Sequence, residues 1–210
     1  MEEEAAVDRR YLRMPHVERG MTVGLFGGSF NPPHEGHLLV AEIAMRRLSL
    51  DNLWWMVTPG NPLKSRSELA SLKDRIAASE KLINDPRIKV TAFEQNLDTR
   101  FTADTVAHVA ARNPGIRFVW IMGADSLKTF HLWQNWRQIV ATFPIAIIDR
   151  PGATLSLVSS TMARAYDHAR VDEEDAAGLA LRPAPAWTFV HDRRSAISST
   201  QLRAKARQKT

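Results

Sequence analysis

The chain has 210 residues, enough for one sizeable core, and its 44% hydrophobic and 24% charged residues describe an ordinary globular protein. The absence of cysteine excludes disulfides, thiolate metal sites and cysteine nucleophiles, and no apolar stretch is long enough to span a bilayer. A formal net charge of +5 suits polyanionic ligands, whether free nucleotides or nucleic acid.

Residues 1–20 are polar, mixed in charge and without a clear period, and they read as a mobile extension ahead of a single domain over 21–210. The opening Met1-Glu2-Glu3-Glu4 reverses the positive start of a signal peptide, so a cytoplasmic location is expected. An apolar run at 21–26 predicts the first strand, and Leu38, Ala41, Met45 and Leu48 then mark a helix face. Residues 53–57, with two tryptophans, predict a buried strand, and 58–65 form a loop dense in turn residues. Leu69, Leu72, Ile76 and Ile83 outline a second helix face. Residues 88–93 read as the next strand, and Thr102 as the cap of a helix reaching about residue 112. A strand at 117–122 ends in Gly123-Ala124-Asp125, and a Trp-rich helical segment separates it from a buried strand at 145–148. Residues 153–185 are less legible, with a helical pattern at 157–169, an acidic patch at 172–175 and then prolines. Residues 187–190 predict a last strand, and 199–208 a closing helix.

Strand alternating with helix predicts an α/β, Rossmann-like fold: a doubly wound parallel sheet with helices on both faces. Ligands of such sheets bind beyond the carboxyl ends of the strands, where strand order reverses. Every motif in this chain lies just after a predicted strand.

The densest motif is Gly27-Gly28-Ser29-Phe30-Asn31-Pro32-Pro33-His34-Glu35-Gly36-His37. A strand, a glycine turn and a helix N-terminus in that order make an anion site, because free backbone N–H groups and the helix dipole point at the turn. His34 and His37, three apart on the first helical turn, can face one phosphate in a solvent-filled cleft, and Gly36 lets a ligand approach the backbone. A second motif is Ile197-Ser198-Ser199-Thr200-Gln201-Leu202-Arg203. Ser199 or Thr200 is a natural N-cap, and Arg203 lies one turn along. Taken alone, that segment is better explained as a capped helix with a solvated arginine.

The composite Gly-x-Phe-x-Pro-x-His-x-Gly-His resembles the signature of the nucleotidyltransferases that share a His-x-Gly-His element with class I aminoacyl-tRNA synthetases. Within them, the chain from residue 21 onward, apart from 153–185, resembles the bacterial nicotinate-nucleotide adenylyltransferases. Pro59-Gly60-Asn61-Pro62-Leu63-Lys64 is similar to that family's proline-rich loop, and Arg100-Phe101-Thr102-Ala103-Asp104-Thr105 to its Thr-x-Asp-Thr element. Gly123-Ala124-Asp125-Ser126-Leu127 with Trp133 and Trp136, and Asp149-Arg150-Pro151-Gly152, match two further blocks.

The resemblance implies transfer of the adenylyl group of ATP to nicotinate mononucleotide, giving deamido-NAD and pyrophosphate in NAD biosynthesis. It implies catalytic roles for His34, His37, Lys64 and Arg203. ATP would meet Gly27, Gly28, Ser29, Phe30, His34, Gly36, His37, Gly123, Asp125, Ile197, Ser198, Ser199, Thr200 and Arg203, the last four on a closing helix at about 198–208. The mononucleotide would meet Ser29, Lys64, Thr102, Asp125, Trp133 and Gln134. A Mg2+ ion would be held mainly through ATP phosphates, with no dedicated protein metal site. Trp133 offers a face for a pyridine ring or a piece of core, and Asp125 either meets ribose hydroxyls or caps the following helix. Nucleic-acid and membrane partners are not expected, while a homo-oligomer stays open.

Two departures from the family pattern stand out. Asn31 replaces its usual aspartate, removing a carboxylate near the polyphosphate, and Phe101 replaces a tyrosine. The alternatives are adenylation of another phosphate, either nicotinamide mononucleotide or phosphopantetheine, and a non-catalytic nucleotide-binding module.

Overall fold

The computed structural model describes residues 7–59, 69–97, 99, 101–149 and 160–191. Six strands form one parallel sheet: β1 (Thr22–Gly28), β2 (Asn52–Val57), β3 (Ile88–Thr91), β4 (Arg117–Gly123), β5 (Ile145–Ile148) and β6 (Trp187–Val190). Their order is β3-β2-β1-β4-β5-β6, so the direction of winding reverses between β1 and β4. The register pairs Phe26 with Trp55 on one side and with Ile121 on the other.

Alternation along each strand divides the core in two. Val23, Leu25, Trp54, Trp120 and Ile147 face one layer, where Val106 and Val109 of α3 (Thr102–Arg112) and Ile139 of α5 (Trp136–Thr142) pack. Phe26, Trp55, Val57 and Ile121 face the other, against Val40 and Ile43 of α1 (Glu35–Arg47) and Ile76 of α2 (Leu72–Leu82). Strands buried on both faces must be apolar at nearly every position, which is why β2 and β4 read as continuous runs. The doubly wound architecture expected from the sequence is the one observed.

Several local expectations change. Residues 7–20 lie against the domain: the Ala92 N–H donates to the Tyr11 carbonyl at 2.7 Å and the Asn96 amide to the Leu12 carbonyl at 2.9 Å. Tyr11 and Met14 are partly buried on the two cores. The segment supplies hydrogen-bond partners to the end of β3, an edge strand whose backbone groups need them. β3 itself stops at Thr91, because a 3-10 turn over Phe93–Asn96 takes over. Thr102 is the first residue of α3 and not its cap; Phe101 holds that place without a side-chain bond. The Trp-rich segment is broken into α4 (Ala124–Leu127), a 3-10 turn at Phe130–Leu132 and α5. Of the 157–169 pattern, the described part contains a short α-helix at Thr161–Ala165 and a 3-10 turn at Asp167–Ala169. The acidic patch opens a 3-10 helix, where Glu173 binds Arg47 at 3.1 Å and the His191 ring at 2.6 Å, tying the end of α1 to the end of β6.

Glu94, in the turn after β3, is an ionisable group within the fold. Burial pushes its carboxyl up to about 7 against the opposing pull of the Thr105 hydroxyl. A carboxyl raised from 4.5 to about 7 binds more protons folded than unfolded between those values, so stability falls as pH rises through that window and is flat above it. Glu94→Gln should flatten this dependence and be more stable than the parent at pH 8. Urea unfolding between pH 4.5 and 8 checks it; parallel profiles for both proteins would contradict it.

Candidate active site

β1 and β4 run parallel as neighbours, so the turns after Gly28 and Gly123 open on the same rim of the sheet. The first turn is shaped by close approach. A Cβ on Gly27 would lie 3.0 Å from the Trp120 ring, and one on Gly28 would lie 3.0 Å from the Phe30 ring. Phe30 is left-handed (φ 45°), which turns its side chain back beneath the strand end. There it stacks on Trp55 at 4.3 Å and meets His37 edge-on at 5.0 Å. Expected among the ATP contacts, Phe30 is only 2% exposed, so its ring serves packing and is not open to a ligand.

His37 lies in the first turn of α1 as expected, whereas His34 does not. His34 precedes α1 as its N-cap, in extended conformation, and its Nδ1 accepts the Gly36 N–H at 3.1 Å. An imidazole nitrogen here satisfies one of the orphan donors of a helix start, and the His34 ring is buried. That bond assigns Nδ1 as acceptor, so the neutral ring carries its proton on Nε2. His37 stacks on it with ring centres 3.7 Å apart. Phe30, His37 and His34 thus form one contiguous wall running from the turn to the helix N-terminus.

Asn31 has a constructive part. Its side-chain oxygen accepts the Ala70 N–H at 3.1 Å, joining the turn to the approach to α2. Arg75, which the sequence reading passed over, lies on α2 with 2% exposure and donates to the carbonyls of Ser29 (2.7 Å), Thr58 (2.7 Å) and Ala70 (3.0 Å). Burial lowers its pKa from the ordinary arginine value. The signal was present: Arg75 shares the helical face of Leu72, Ile76 and Ser79, a polar residue on an apolar stripe.

At the end of β4, Gly123 is the extended N-cap of α4, and Asp125 is exposed in its first turn. Trp133 is half-buried, edge-on to Phe130 at 5.2 Å and to Trp120 at 6.5 Å, and Trp120 in turn covers Gly27. One aromatic chain therefore links Trp133 to the glycine turn. Thr102 is half-buried at the start of α3, and Gln134 is exposed. Lys64, Ile197, Ser198, Ser199, Thr200 and Arg203 lie outside the described residues. Among the described residues no cluster of three or more His, Cys, Asp or Glu side chains could hold a metal, and no helix is long and apolar enough to cross a membrane.

Comparison with known proteins follows this geometry. Residues 25–205 match the cytidylyltransferase-like family. A Rhizobium johnstonii protein named "Probable nicotinate-nucleotide adenylyltransferase" is 68% identical over 190 residues, covering 90% of this chain and 96% of its own. The Agrobacterium fabrum protein of the same name is 70% identical over 183 residues, covering 87% and 98%. Among solved structures, Plasmodium falciparum nicotinic acid mononucleotide adenylyltransferase complexed with NaAD has a TM-score of 0.65 at 18% identity, over 88% of this chain and 83% of that one. At that identity the likeness is one of fold.

The cap geometry has a measurable consequence. His34→Ala should cost about 1 kcal/mol of stability, the usual value of a lost N-cap, whereas His34→Asn should restore most of it, since asparagine is a strong cap. Urea unfolding of the three proteins decides the matter; an alanine variant as stable as the parent would contradict the capping role.

Proposed function

This chain belongs to the cytidylyltransferase-like family, as one of its nicotinate-nucleotide adenylyltransferases, and we infer that it transfers the adenylyl group of ATP to nicotinate mononucleotide in NAD synthesis. The products are deamido-NAD and pyrophosphate. The observation that carries this reading is the near end-to-end identity with proteins of that name, on a chain whose glycine turn, paired histidines and helix N-terminus meet at the switch in strand order. The site roles below are our proposal.

An oxygen of the mononucleotide phosphate attacks the α-phosphorus of ATP as the bond to the β-phosphate oxygen breaks, so no side chain need act as nucleophile. Catalysis then consists of positioning and of stabilising charge on the α-phosphoryl oxygens and the leaving pyrophosphate. Gly27, Gly28, Ser29 and Gly36 let the phosphates approach the backbone, and His34 and His37 supply ring donors. Lys64 brings a positive charge to the phosphates, and Arg203, with the backbone of Ile197, Ser198, Ser199 and Thr200, holds the pyrophosphate. Gly123 and Asp125 take the ribose side. Trp133 stacks on the pyridine ring, while Thr102 and the amides at Trp133 and Gln134 read its carboxylate. Mg2+ would be held mainly through phosphate oxygens and water and would neutralise polyphosphate charge. Substrates of this kind and a cysteine-free chain suit the cytoplasm.

The purified protein should release pyrophosphate from ATP with nicotinate mononucleotide, and less efficiently with the amide; equal or better use of the amide or of phosphopantetheine would overturn the assignment. Trp133→Ala should raise the apparent Michaelis constant for the mononucleotide roughly ten- to hundredfold, by analogy with base stacking on aromatic side chains. Thr102→Val should instead lower the acid-to-amide ratio of specificity constants, because a group built to bond one substrate rejects the analogue. A ratio that moves more in Trp133→Ala than in Thr102→Val would contradict these roles.

A further inference from the structure

Arg75 carries its charge into the interior. Its side chain is buried on α2, and among the described residues its guanidinium meets no carboxylate; its partners are the backbone carbonyls of Ser29, Thr58 and Ala70. Isolated burial of a cation is costly unless hydrogen bonds compensate it, and desolvation with no opposing acid holds the pKa of Arg75 below its ordinary value. A side chain needed only to fill this space would be apolar.

The three carbonyls are not a random set. Thr58 directly follows β2, Ala70 directly precedes Ser71, the N-cap of α2, and Ser29 is the first residue past β1 in the glycine turn. Because the peptide unit is planar and trans, fixing the Ser29 carbonyl toward Arg75 sets the Phe30 N–H on the opposite side of the same plane. The guanidinium thus orients a turn amide from behind while its charge stays beneath the turn. Ala70 is held twice, through its carbonyl by Arg75 and through its N–H by Asn31, so the approach to α2 is tied to the turn.

We propose that Arg75 is a positioning residue for adenylyl transfer: it fixes the Ser29–Phe30 peptide so that the turn is preformed for the polyphosphate, and it places a buried positive charge under that turn. The proposal rests on the adenylyl-transfer reading of the preceding subsection. Arg75 does not touch the substrates; it acts through the backbone that does.

The test compares the parent enzyme, Arg75→Lys, Arg75→Met and Ile76→Val, the last a core variant on the same helix with no bond to the turn. Turnover and both Michaelis constants are measured with ATP and nicotinate mononucleotide, well below each variant's Tm, alongside circular dichroism. A parent that forms no deamido-NAD would defeat the reaction assignment itself, separately from the role of Arg75. With an active parent, Arg75→Lys, which keeps the charge but not the forked geometry, should lose about tenfold in kcat, and Arg75→Met, which loses both, about a hundredfold, the scale of a misplaced site. The Michaelis constant for the mononucleotide should stay within about threefold, and Ile76→Val should lower Tm without lowering kcat. The proposal is overturned if Arg75→Lys keeps kcat within about twofold of the parent, if Ile76→Val loses turnover to the same degree, or if Arg75→Lys does not fold.

Discussion

The structure depends on how the chain leaves β1. Phe30 sits in left-handed conformation, a state that costs a non-glycine residue about 1–2 kcal/mol. Such a residue persists only where its surroundings over-determine it, and here they do: its ring is stacked on Trp55, flanked by Phe26 and laid against His37. Burial of a phenylalanine ring is worth roughly 1.5–3 kcal/mol, enough to offset the backbone cost. Gly28 leaves room for that ring, and Gly27 leaves room for Trp120 on the opposite side of the strand. The two glycines therefore serve packing first, and the exposed backbone of the turn follows from it.

From that single bend the rest of the site takes its place. His37 is braced from below by Phe30 and alongside by His34, which is itself fixed by the Gly36 N–H it accepts. Trp120 carries the influence of the turn across the sheet to Trp133, on the side where β4 ends in Gly123 and Asp125. Rigid aromatic contacts and capping bonds suit a reaction whose catalysis is positioning, since groups already in place need not reorganise as charge develops. Wedge, cap and stack are the physical means by which an apolar two-sided sheet holds a glycine turn and two histidines in place at its rim.

Much of this could be read in the sequence, for reasons that differ by element. β5 and β6 fall on their predicted residues because strands buried on both faces are short apolar runs with sharp polar or proline borders. The glycine-histidine motif is legible as the passage from β1 into α1 because a glycine turn and a helix start are local features. What the sequence hid is non-local. Nothing in residues 7–20 announces that Tyr11 and Leu12 accept bonds from the end of β3, about eighty positions on. Arg75 is one charge on a helix in the sequence, and only the fold brings Ser29, Thr58 and Ala70 around it. The sequence places His34 on the first helical turn, and the fold makes it the cap of that helix through the Gly36 N–H. Lys64 and the 197–203 motif lie outside the described residues, so their expected roles rest on the sequence resemblance alone.

The claim at the centre of this account is that the bend after β1 is the phosphate site. A crystal structure of the protein with deamido-NAD bound tests it most directly. The dinucleotide's phosphates should lie within hydrogen-bonding distance of the His37 ring and of the backbone N–H groups between Gly28 and Phe30, with the pyridine ring against Trp133. Phosphates seated elsewhere on the rim, with the Gly28–His37 turn untouched, would contradict it.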